Sequence, residues 1–219
     1  MRYLWKHSRA ATRFQFKFNV IFMPQLFYFS RGNHKLSRNI LIWDLPHKST
    51  CPGADKCLKY CYARKAEYLF KYALQSRKRN YVFSLKRYFV PAITDYLRES
   101  TVKYIRVHSS GDFYSKAYFL KWVQIAKNCS DKVFFGYTKS LKFIDFSVLP
   151  NNFKLLQSYG GLFDDLIDPA FSTSRVIESK SELWLNEVLC TSTDPGFKGC
   201  GLSCSLCMQD KIHLAILKH

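Results

Sequence analysis

The sequence lacks any long hydrophobic run. Its nearest candidate, residues 20–29, is shorter than the roughly 18 residues that a membrane-spanning helix needs, and it contains Pro24. No small-residue cleavage pattern follows this run, where Ser30 to Asn33 stand. The chain also lacks internal repeats and low-complexity linkers. These absences lead us to expect a non-secreted, cytoplasmic protein with no membrane partner and, most simply, one domain of α/β size.

Acidic residues are scarce: 16 Asp and Glu stand against 34 Lys and Arg, which gives a net charge of +18. Such an excess favours polyanionic partners, so we expect nucleic acid as a partner through a positive surface. The basic residues are spread along the chain, with one short run at residues 77–79. Hydrophobic residues make up 47% and aromatic residues 17% of the chain, which is enough for a sizeable core and excludes global disorder.

We divide the chain into three segments. Residues 1–31 form a basic, aromatic N-terminal segment that fits the pattern of the rest poorly, and we expect it to be poorly ordered. Residues 32–189 form an α/β domain. Residues 190–219 form a loop-rich, cysteine-rich tail that we expect to pack on this domain as a metal-tied cap, not as a further strand–helix unit.

Hydrophobic periodicity predicts the order of elements in the α/β domain. We expect strands at residues 35–45, 104–107, 133–137 and 153–158, and helices at 62–75, 81–97 and 116–127. Alternating strands and helices are typical of a mostly parallel sheet with helices packed over it. Polar residues directly follow several of the strands, and sheets of this kind place their functional sites there.

Seven of the eight cysteines fall into two groups: the first set (Cys51, Cys57 and Cys61) and the second set (Cys190, Cys200, Cys204 and Cys207). In a reducing compartment such groups indicate metal binding more than disulfides. Cys129 stands alone, and we expect it to be a small buried hydrophobic residue.

Three thiolates leave one iron of a four-iron cluster open, which is the arrangement that a radical enzyme needs to bind S-adenosylmethionine. Four thiolates close a cluster and suit electron transfer or structure. We therefore expect one or two [4Fe-4S] clusters, open at the first set and closed at the second. Zinc stays an alternative, above all for the second set, where Cys204 and Cys207 have knuckle spacing. His47 is the nearest fourth zinc ligand for the first set, and ligands shared between the sets stay an open alternative.

Two residues after the strand at 104–107 are candidate catalytic residues. His108 titrates near neutral pH and is suited to proton transfer, and Asp112 to binding a substrate group. In the alternative interpretation Asp112 caps the following helix and His108 forms hydrogen bonds inside its own loop. Glu67, on the helix after the first set, is expected to be a solvated helix residue.

Four further residues are candidate cofactor-binding residues at the same strand ends. Arg106 and Ser110 flank His108, and Tyr137 and Lys139 close the strand at 133–137. Arg106 is suited to pairing with Asp112 or with a cofactor carboxylate, and Lys139 to binding an anion.

Four blocks of residues, in order along the chain, resemble the phage "gene product 88" family, which looks like a relative of the radical S-adenosylmethionine superfamily. The blocks are residues 33–63 (with Asn33-His34-Lys35-Leu36 and Thr50-Cys51-Pro52-Gly53-Ala54), residues 106–122 (from Arg106-Val107-His108-Ser109-Ser110-Gly111-Asp112 to Trp122), residues 135–140, and the closing Cys200, Cys204 and Cys207. The resemblance covers roughly residues 33–210. It implies an incomplete (β/α) barrel, a cluster in the loop after the first strand, and a phage or mobile-element setting.

The first set departs from the superfamily in its spacing. Most radical S-adenosylmethionine enzymes carry Cys-x3-Cys-x2-Cys, whereas Cys51, Cys57 and Cys61 read Cys-x5-Cys-x3-Cys. The usual spacing occurs instead at the end of the chain, in Cys200, Cys204 and Cys207.

Two function classes follow from these patterns. The first is a radical S-adenosylmethionine-type enzyme that receives electrons from a donor and modifies a nucleic acid or nucleotide. The second is a basic nucleic-acid-binding module that iron–sulfur clusters or zinc staple together, without catalysis.

Overall fold

A computed structural model describes residues 26–218 of the chain. The expected poor order of residues 1–25 lies outside these described residues. Eight strands form the sheet: β1 (Ser30–Arg31), β2 (Ile40–Trp43), β3 (Tyr104–Val107), β4 (Val133–Thr138), β5 (Phe153–Ser158), β6 (Thr173–Ile177), β7 (Val188–Leu189) and β8 (His213–Leu217). Four α-helices accompany them: α1 (Tyr62–Leu69), α2 (Lys71–Ser84), α3 (Phe89–Glu99) and α4 (Lys116–Asn128).

The strands lie in the order β1-β2-β3-β4-β5-β6-β8-β7. β1 pairs with β2 antiparallel, and every other neighbouring pair is parallel. The α/β class with a mostly parallel sheet is therefore confirmed. The sheet is not closed, since β1 and β7 stand at its two edges.

The two faces of the sheet are covered differently. Helices α3 and α4 pack on one face, where Trp43, Phe89 and Trp122 are fully buried and their rings lie within 6 Å of one another, edge to face. On the other face a second apolar cluster includes Phe135 and residues of the cysteine-rich segment such as Cys207. Each face thus buries alternate residues of the same strands, as the two-residue period of a strand requires.

The cysteine-rich tail does not act only as a cap, which corrects our expectation. Its last residues, His213–Leu217, form β8, which lies between β6 and β7 in the sheet. The described part of the N-terminal segment also joins the fold: Ser30–Arg31 pair with β2, and Phe29 is buried against Trp43. Segments from both ends of the described residues thus complete the sheet.

Three helices replace the two expected between residues 62 and 97. Phe70 adopts an extended conformation (φ −122°, ψ 97°) and separates α1 from α2, and residues 85–88 separate α2 from α3. Pro91 lies in the first turn of α3, where the missing N–H of proline breaks no helical hydrogen bond. None of the helices in the described part combines the length and hydrophobicity that a bilayer crossing requires.

A buried ion-pair network fastens α1 and α2 to the end of β2. Arg77 donates to Glu67 Oε1 at 2.9 Å, to the carbonyl oxygen of Ala63 at 3.2 Å and to Asp44 Oδ2 at 3.4 Å. Glu67 also accepts from the backbone N–H of His47 at 3.0 Å, and its Oε2 lies 2.6 Å from His47 Nδ1. Glu67 is buried, which overturns its expected solvation.

Replacing Arg77 by Met is expected to lower the free energy of unfolding by about 3–5 kcal/mol, because the buried carboxylates of Glu67 and Asp44 lose their cation. The exposed neighbour provides the control: Lys78→Met should change stability by less than about 0.5 kcal/mol. Urea unfolding followed by circular dichroism measures both. Equal, small effects would mean that the network contributes nothing.

Candidate functional site

The carboxyl ends of four parallel strands meet at one edge of the sheet. β2, β3, β4 and β5 end at Trp43, Val107, Thr138 and Ser158, and the first three of these strands are in register along their shared length. The loops that follow these strands therefore lie side by side, as parallel sheets place them. The cysteine loop (residues 44–61) follows β2 at this edge.

The cysteine loop holds the first set in a compact series of turns. The Thr50 hydroxyl donates to the carbonyl oxygen of Pro46 at 2.6 Å, and the next residue is Cys51. Cys57 lies in a short 3-10 turn, and Cys61 is the residue directly before α1. The three thiols are free and half-buried.

Two glycines bring the cysteine loop against its neighbours, backbone to backbone. A Cβ on Gly53 would lie 1.9 Å from the carbonyl oxygen of Lys139, and one on Gly161 would lie 2.7 Å from the carbonyl oxygen of Gly53. Leu162 N–H donates to that same Gly53 oxygen at 2.9 Å. Only residues without a side chain allow this approach, so the loop is seated on the ends of β4 and β5.

Asp112 joins three of the loops at this edge. Its carboxylate accepts from Thr138 Oγ1 at 2.7 Å, from Lys139 N–H at 2.8 Å and from Phe113 N–H at 2.7 Å. Its own N–H donates to the carbonyl oxygen of Thr50 at 3.0 Å. Burial raises the pKa of Asp112, and these hydrogen bonds oppose the rise. Asp112 thus fixes the cysteine loop and the end of β4 to the end of β3.

The first set forms one electrostatic unit. Burial, the Asp112 carboxylate and the other two thiols raise the pKa of Cys51 to about 12. Burial also raises the pKa of Cys57, and the Lys139 ammonium opposes that rise. Such thiols stay protonated unless a positive centre stabilises their thiolates, which is what a bound metal does.

Lys139 supplies the positive charge that acts on Cys57 in this unit. Its Nζ donates to Ser158 Oγ at 2.9 Å, to the Ser158 carbonyl oxygen at 3.2 Å and to the carbonyl oxygen of Tyr159. Burial lowers its pKa, and Cys57 is the first of the anionic groups that oppose this. The structure therefore holds a half-buried ammonium group beside the first set.

The second set lies on the sheet face opposite α3 and α4. Cys200 exchanges backbone hydrogen bonds with the segment before β2: its N–H donates to Lys35 O at 2.9 Å, and its O accepts from Ser37 N–H at 3.1 Å. Cys190 N–H donates to Ala215 O in β8 at 2.8 Å. Chain segments far apart in sequence thus bring these cysteines together.

Arg106 and Tyr137 face the second set and not the first. Tyr137 Oη donates to Cys207 Sγ at 2.7 Å, and the Arg106 guanidinium lies 4.2 Å from the centre of the Tyr137 ring. Burial, followed by the neighbouring thiols, raises the pKa of Cys200 to about 12, and Arg106 opposes this rise. Arg106 Nε donates to the carbonyl oxygen of His108 at 3.1 Å, so the pairing expected between Arg106 and Asp112 is not formed.

Neither cysteine set is arranged around a single metal ion in the part of the chain that the structure describes. Within residues 26–218, no three His, Cys, Asp or Glu side chains are arranged as ligands of one metal ion. His47, the expected fourth zinc ligand, is engaged by Glu67. Cys129 is buried at the end of α4, as expected.

His108 lies in the core, on the side of α4. Its Nε2 is 3.0 Å from Tyr118 Oη, its ring packs on Phe113, and its backbone adopts a left-handed conformation (φ 62°). Burial, and secondarily the Arg106 charge, lower its pKa from 6.5 to about 3. The imidazole is therefore neutral near pH 7, and a role in catalysis stays a prediction.

Asp44, which the sequence reading missed, organises the loop after β3. Its Oδ1 accepts from Ser109 N–H at 2.7 Å and Ser110 N–H at 2.9 Å, and Ser109 Oγ donates to both carboxylate oxygens. The Ser110 hydroxyl, a candidate cofactor ligand, donates to Leu45 O at 2.9 Å. The sequence feature that could have identified Asp44 is its position directly after a fully buried strand.

Comparison with known proteins points to one phage family. The family described as "Gene product 88" matches residues 27–204. The "Gene 88 protein" of Mycobacterium phage D29 is 28% identical over 102 residues, which cover 41% of this chain and 42% of that protein. The match thus spans less than half of that relative. No solved structure matches the chain.

A side chain at Gly53 is expected to unseat the cysteine loop. Gly53→Ala places a Cβ against the Lys139 carbonyl group, so we expect a loss of stability of about 1–3 kcal/mol and faster alkylation of Cys51. Gly196→Ala is the control, because its Cβ meets no atom within 4 Å and its left-handed backbone (φ 84°) alone costs about 1–2 kcal/mol. Thermal melting and mass-spectrometric alkylation rates test this. Unchanged Cys51 alkylation in Gly53→Ala would show that the close approach does not hold the loop.

The buried His108 predicts a pH-dependent stability. The unfolded chain binds a proton at this residue below pH 6.5 and the folded chain only near pH 3, so stability is lost as the pH falls through this window. His108→Asn, which tolerates the left-handed backbone, should flatten that part of the profile. Urea unfolding between about pH 4 and 8 measures it, with the exposed His34→Asn as control. An unaltered slope in His108→Asn would contradict the burial.

Proposed function

The chain belongs to the phage gene product 88 family, and from its two cysteine sets we propose that it is an iron–sulfur protein of the radical S-adenosylmethionine type. The observation that carries the proposal is the position of Cys51, Cys57 and Cys61. They share the loop after β2, at the carboxyl edge of a mostly parallel sheet, and their thiols interact electrostatically. An open four-iron cluster held there would supply one-electron chemistry on S-adenosylmethionine.

The residues around the first set would have a structural role: they would hold the cysteine loop in place and take no part in the reaction. Asp112 locks the cysteine loop to the ends of β3 and β4, and Gly53 allows the backbone contact beneath it. Lys139 places a positive charge beside Cys57, which favours thiolates and offsets the negative charge of a thiolate-bound cluster. Lys139 is thus the candidate cofactor-binding residue whose charge acts on a thiol of the first set.

The second set would hold a closed cluster. Cys200 is coupled to Cys190, Cys204 and Cys207, so four thiols are available and no ligand needs to come from the first set. Arg106 would offset its negative charge, and the Tyr137 hydroxyl donates to one thiol sulfur. This closed site suits electron transfer from a donor protein to the first set.

The fold fits an incomplete (β/α) barrel. The sheet has an antiparallel strand at one edge, seven strands in parallel and open ends. Helices cover one face, and the cysteine-rich residues around Cys207 cover the other. Sheets of this kind bind their ligands at the carboxyl ends of the strands, where the first set lies.

Anaerobic electron paramagnetic resonance tests the proposal. The reduced protein should show the signal of a reduced [4Fe-4S] cluster, and that signal should shift when S-adenosylmethionine is added, because the ligand occupies the open iron. Zinc without iron, or a cluster whose spectrum does not change when S-adenosylmethionine is added, would favour the metal-stapled nucleic-acid-binding module instead.

Removing one ligand should separate the two sets. Cys57→Ala is expected to lose the iron and acid-labile sulfide of the first cluster while the second keeps its own, so that the iron per chain falls by about half. Cys129→Ala is the matched control, since this cysteine is buried away from both sets and should leave iron content unchanged. Iron and sulfide assays measure both variants. An iron content that Cys57→Ala does not alter would rule out the two-site arrangement.

A further inference from the structure

The corner between α1 and α2 exposes an unusual number of large apolar side chains. Five of them lie within eleven residues, at exposed fractions of 56% to 87%: Tyr62, Tyr68, Leu69, Phe70 and Tyr72. The extended backbone at Phe70 separates α1 from α2, so these side chains lie at the corner where the two helices meet. We call these five residues the aromatic corner.

Positive charge surrounds the aromatic corner. Five exposed basic residues lie on the same two helices: Arg64, Lys65, Lys71, Lys78 and Arg79. Glu67 is the sole acidic residue between positions 62 and 84, and it is buried against Arg77. The exposed charges of this surface, as far as the structure describes it, are therefore all positive.

A cleft leads from this surface to the site edge. It has a volume of about 770 Å³, and its lining includes Phe70, Tyr72 and Lys65 of the two helices as well as Asp44 and Ser109 of the strand-end loops. The Asp44 carboxylate is hydrogen-bonded by the Ser109 loop and lies 3.4 Å from Arg77, which also pairs with Glu67. The cleft therefore presents aromatic rings and cations to a ligand without an unpaired acidic group.

We propose that the aromatic corner and its cleft bind single-stranded nucleic acid. Unpaired bases stack on exposed aromatic rings, and phosphates pair with nearby Lys and Arg, which is how sequence-tolerant single-strand binding proteins work. Duplex DNA fits less well because its bases are already stacked and hidden from the rings. A lipid surface fits less well because only Leu69 and Phe70 of the five are purely apolar, whereas the other three are tyrosines, which carry hydroxyl groups.

The position of this surface carries a further consequence, which rests on the proposed function. α1 begins at Tyr62, directly after the ligand Cys61, and rises 1.5 Å per residue, so Tyr68 lies about 9 Å along the helix from Tyr62. A strand on the corner that enters the cleft would thus lie beside the first set. The substrate class of the proposed enzyme would then be a single-stranded DNA or RNA.

Fluorescence anisotropy with labelled oligonucleotides of about 20 nucleotides tests the binding, since one module covers roughly 4–16 nucleotides. Four probes are compared: oligo-dT, oligo-U, a duplex of the same length, and vesicles with anionic lipid. We expect tighter binding of the single strands than of the duplex. The ratio of the oligo-dT and oligo-U affinities identifies DNA or RNA as the preferred strand.

Paired substitutions separate stacking from charge. Tyr68→Ala with Tyr72→Ala should weaken single-strand binding more than about tenfold, and Tyr68→Phe with Tyr72→Phe should restore it because the rings remain. Replacing Lys65, Lys71 and Lys78 by Ala should lower the number of counterions released on binding, which the slope of log Kd against log salt concentration measures, by roughly two. The control replaces three exposed lysines elsewhere by Ala and should reduce it less: Lys103, Lys127 and Lys180.

Three results would overturn the inference: binding of vesicles alone, binding that the tyrosine variants leave unchanged, or equal losses in the two lysine triples. Iron is quantified in each preparation, so the two proposals fail separately. If the protein binds single strands but carries no cluster, the binding inference is supported and the proposed enzyme function is wrong. If it carries a cluster but binds no single strand, the binding inference is wrong and the proposed iron–sulfur function is unaffected.

Discussion

The candidate site depends on one close contact, the packing of the cysteine loop against the end of β4 at Gly53. A peptide group of the loop lies where any side chain would collide with the Lys139 carbonyl group. Gly161, after the end of β5, allows a second close backbone contact of this kind, with the carbonyl oxygen of Gly53. The Asp112 carboxylate ties β3 to β4 beside it. Because three loops are fastened to one another here, the thiols that follow are held at a defined edge of the sheet.

The two cysteine sets occupy different surroundings, and this difference underlies the proposed division of roles. The first set is half-buried in a loop at the strand ends, near Lys139 and the α1–α2 surface. The second set is packed on the face of the sheet, beneath Arg106 and Tyr137. A reactive cluster needs access for substrates, and the carboxyl ends of the strands are where parallel sheets bind them.

Much of the sheet could be predicted from sequence, because short apolar runs that end in polar loops are strong local signals. β3 and β5 begin and end at the expected residues, and β4 extends one residue further. β6 and β8 were missed: β6 opens with Thr173 and Ser174, and β8 follows the cysteine-rich loops. Asp112 could be placed at a strand end, but its partners and the burial of His108 and Glu67 depend on tertiary contacts that no local pattern encodes.

The central claim is that the seven clustered thiols hold iron–sulfur clusters, and native mass spectrometry of the anaerobically purified protein tests it most directly. We expect the mass of the chain to be increased by two units of four irons and four sulfides, one for each cysteine set. The chain mass alone, or increments that correspond to zinc ions only, would contradict it and leave a basic domain stapled by zinc or by no metal at all.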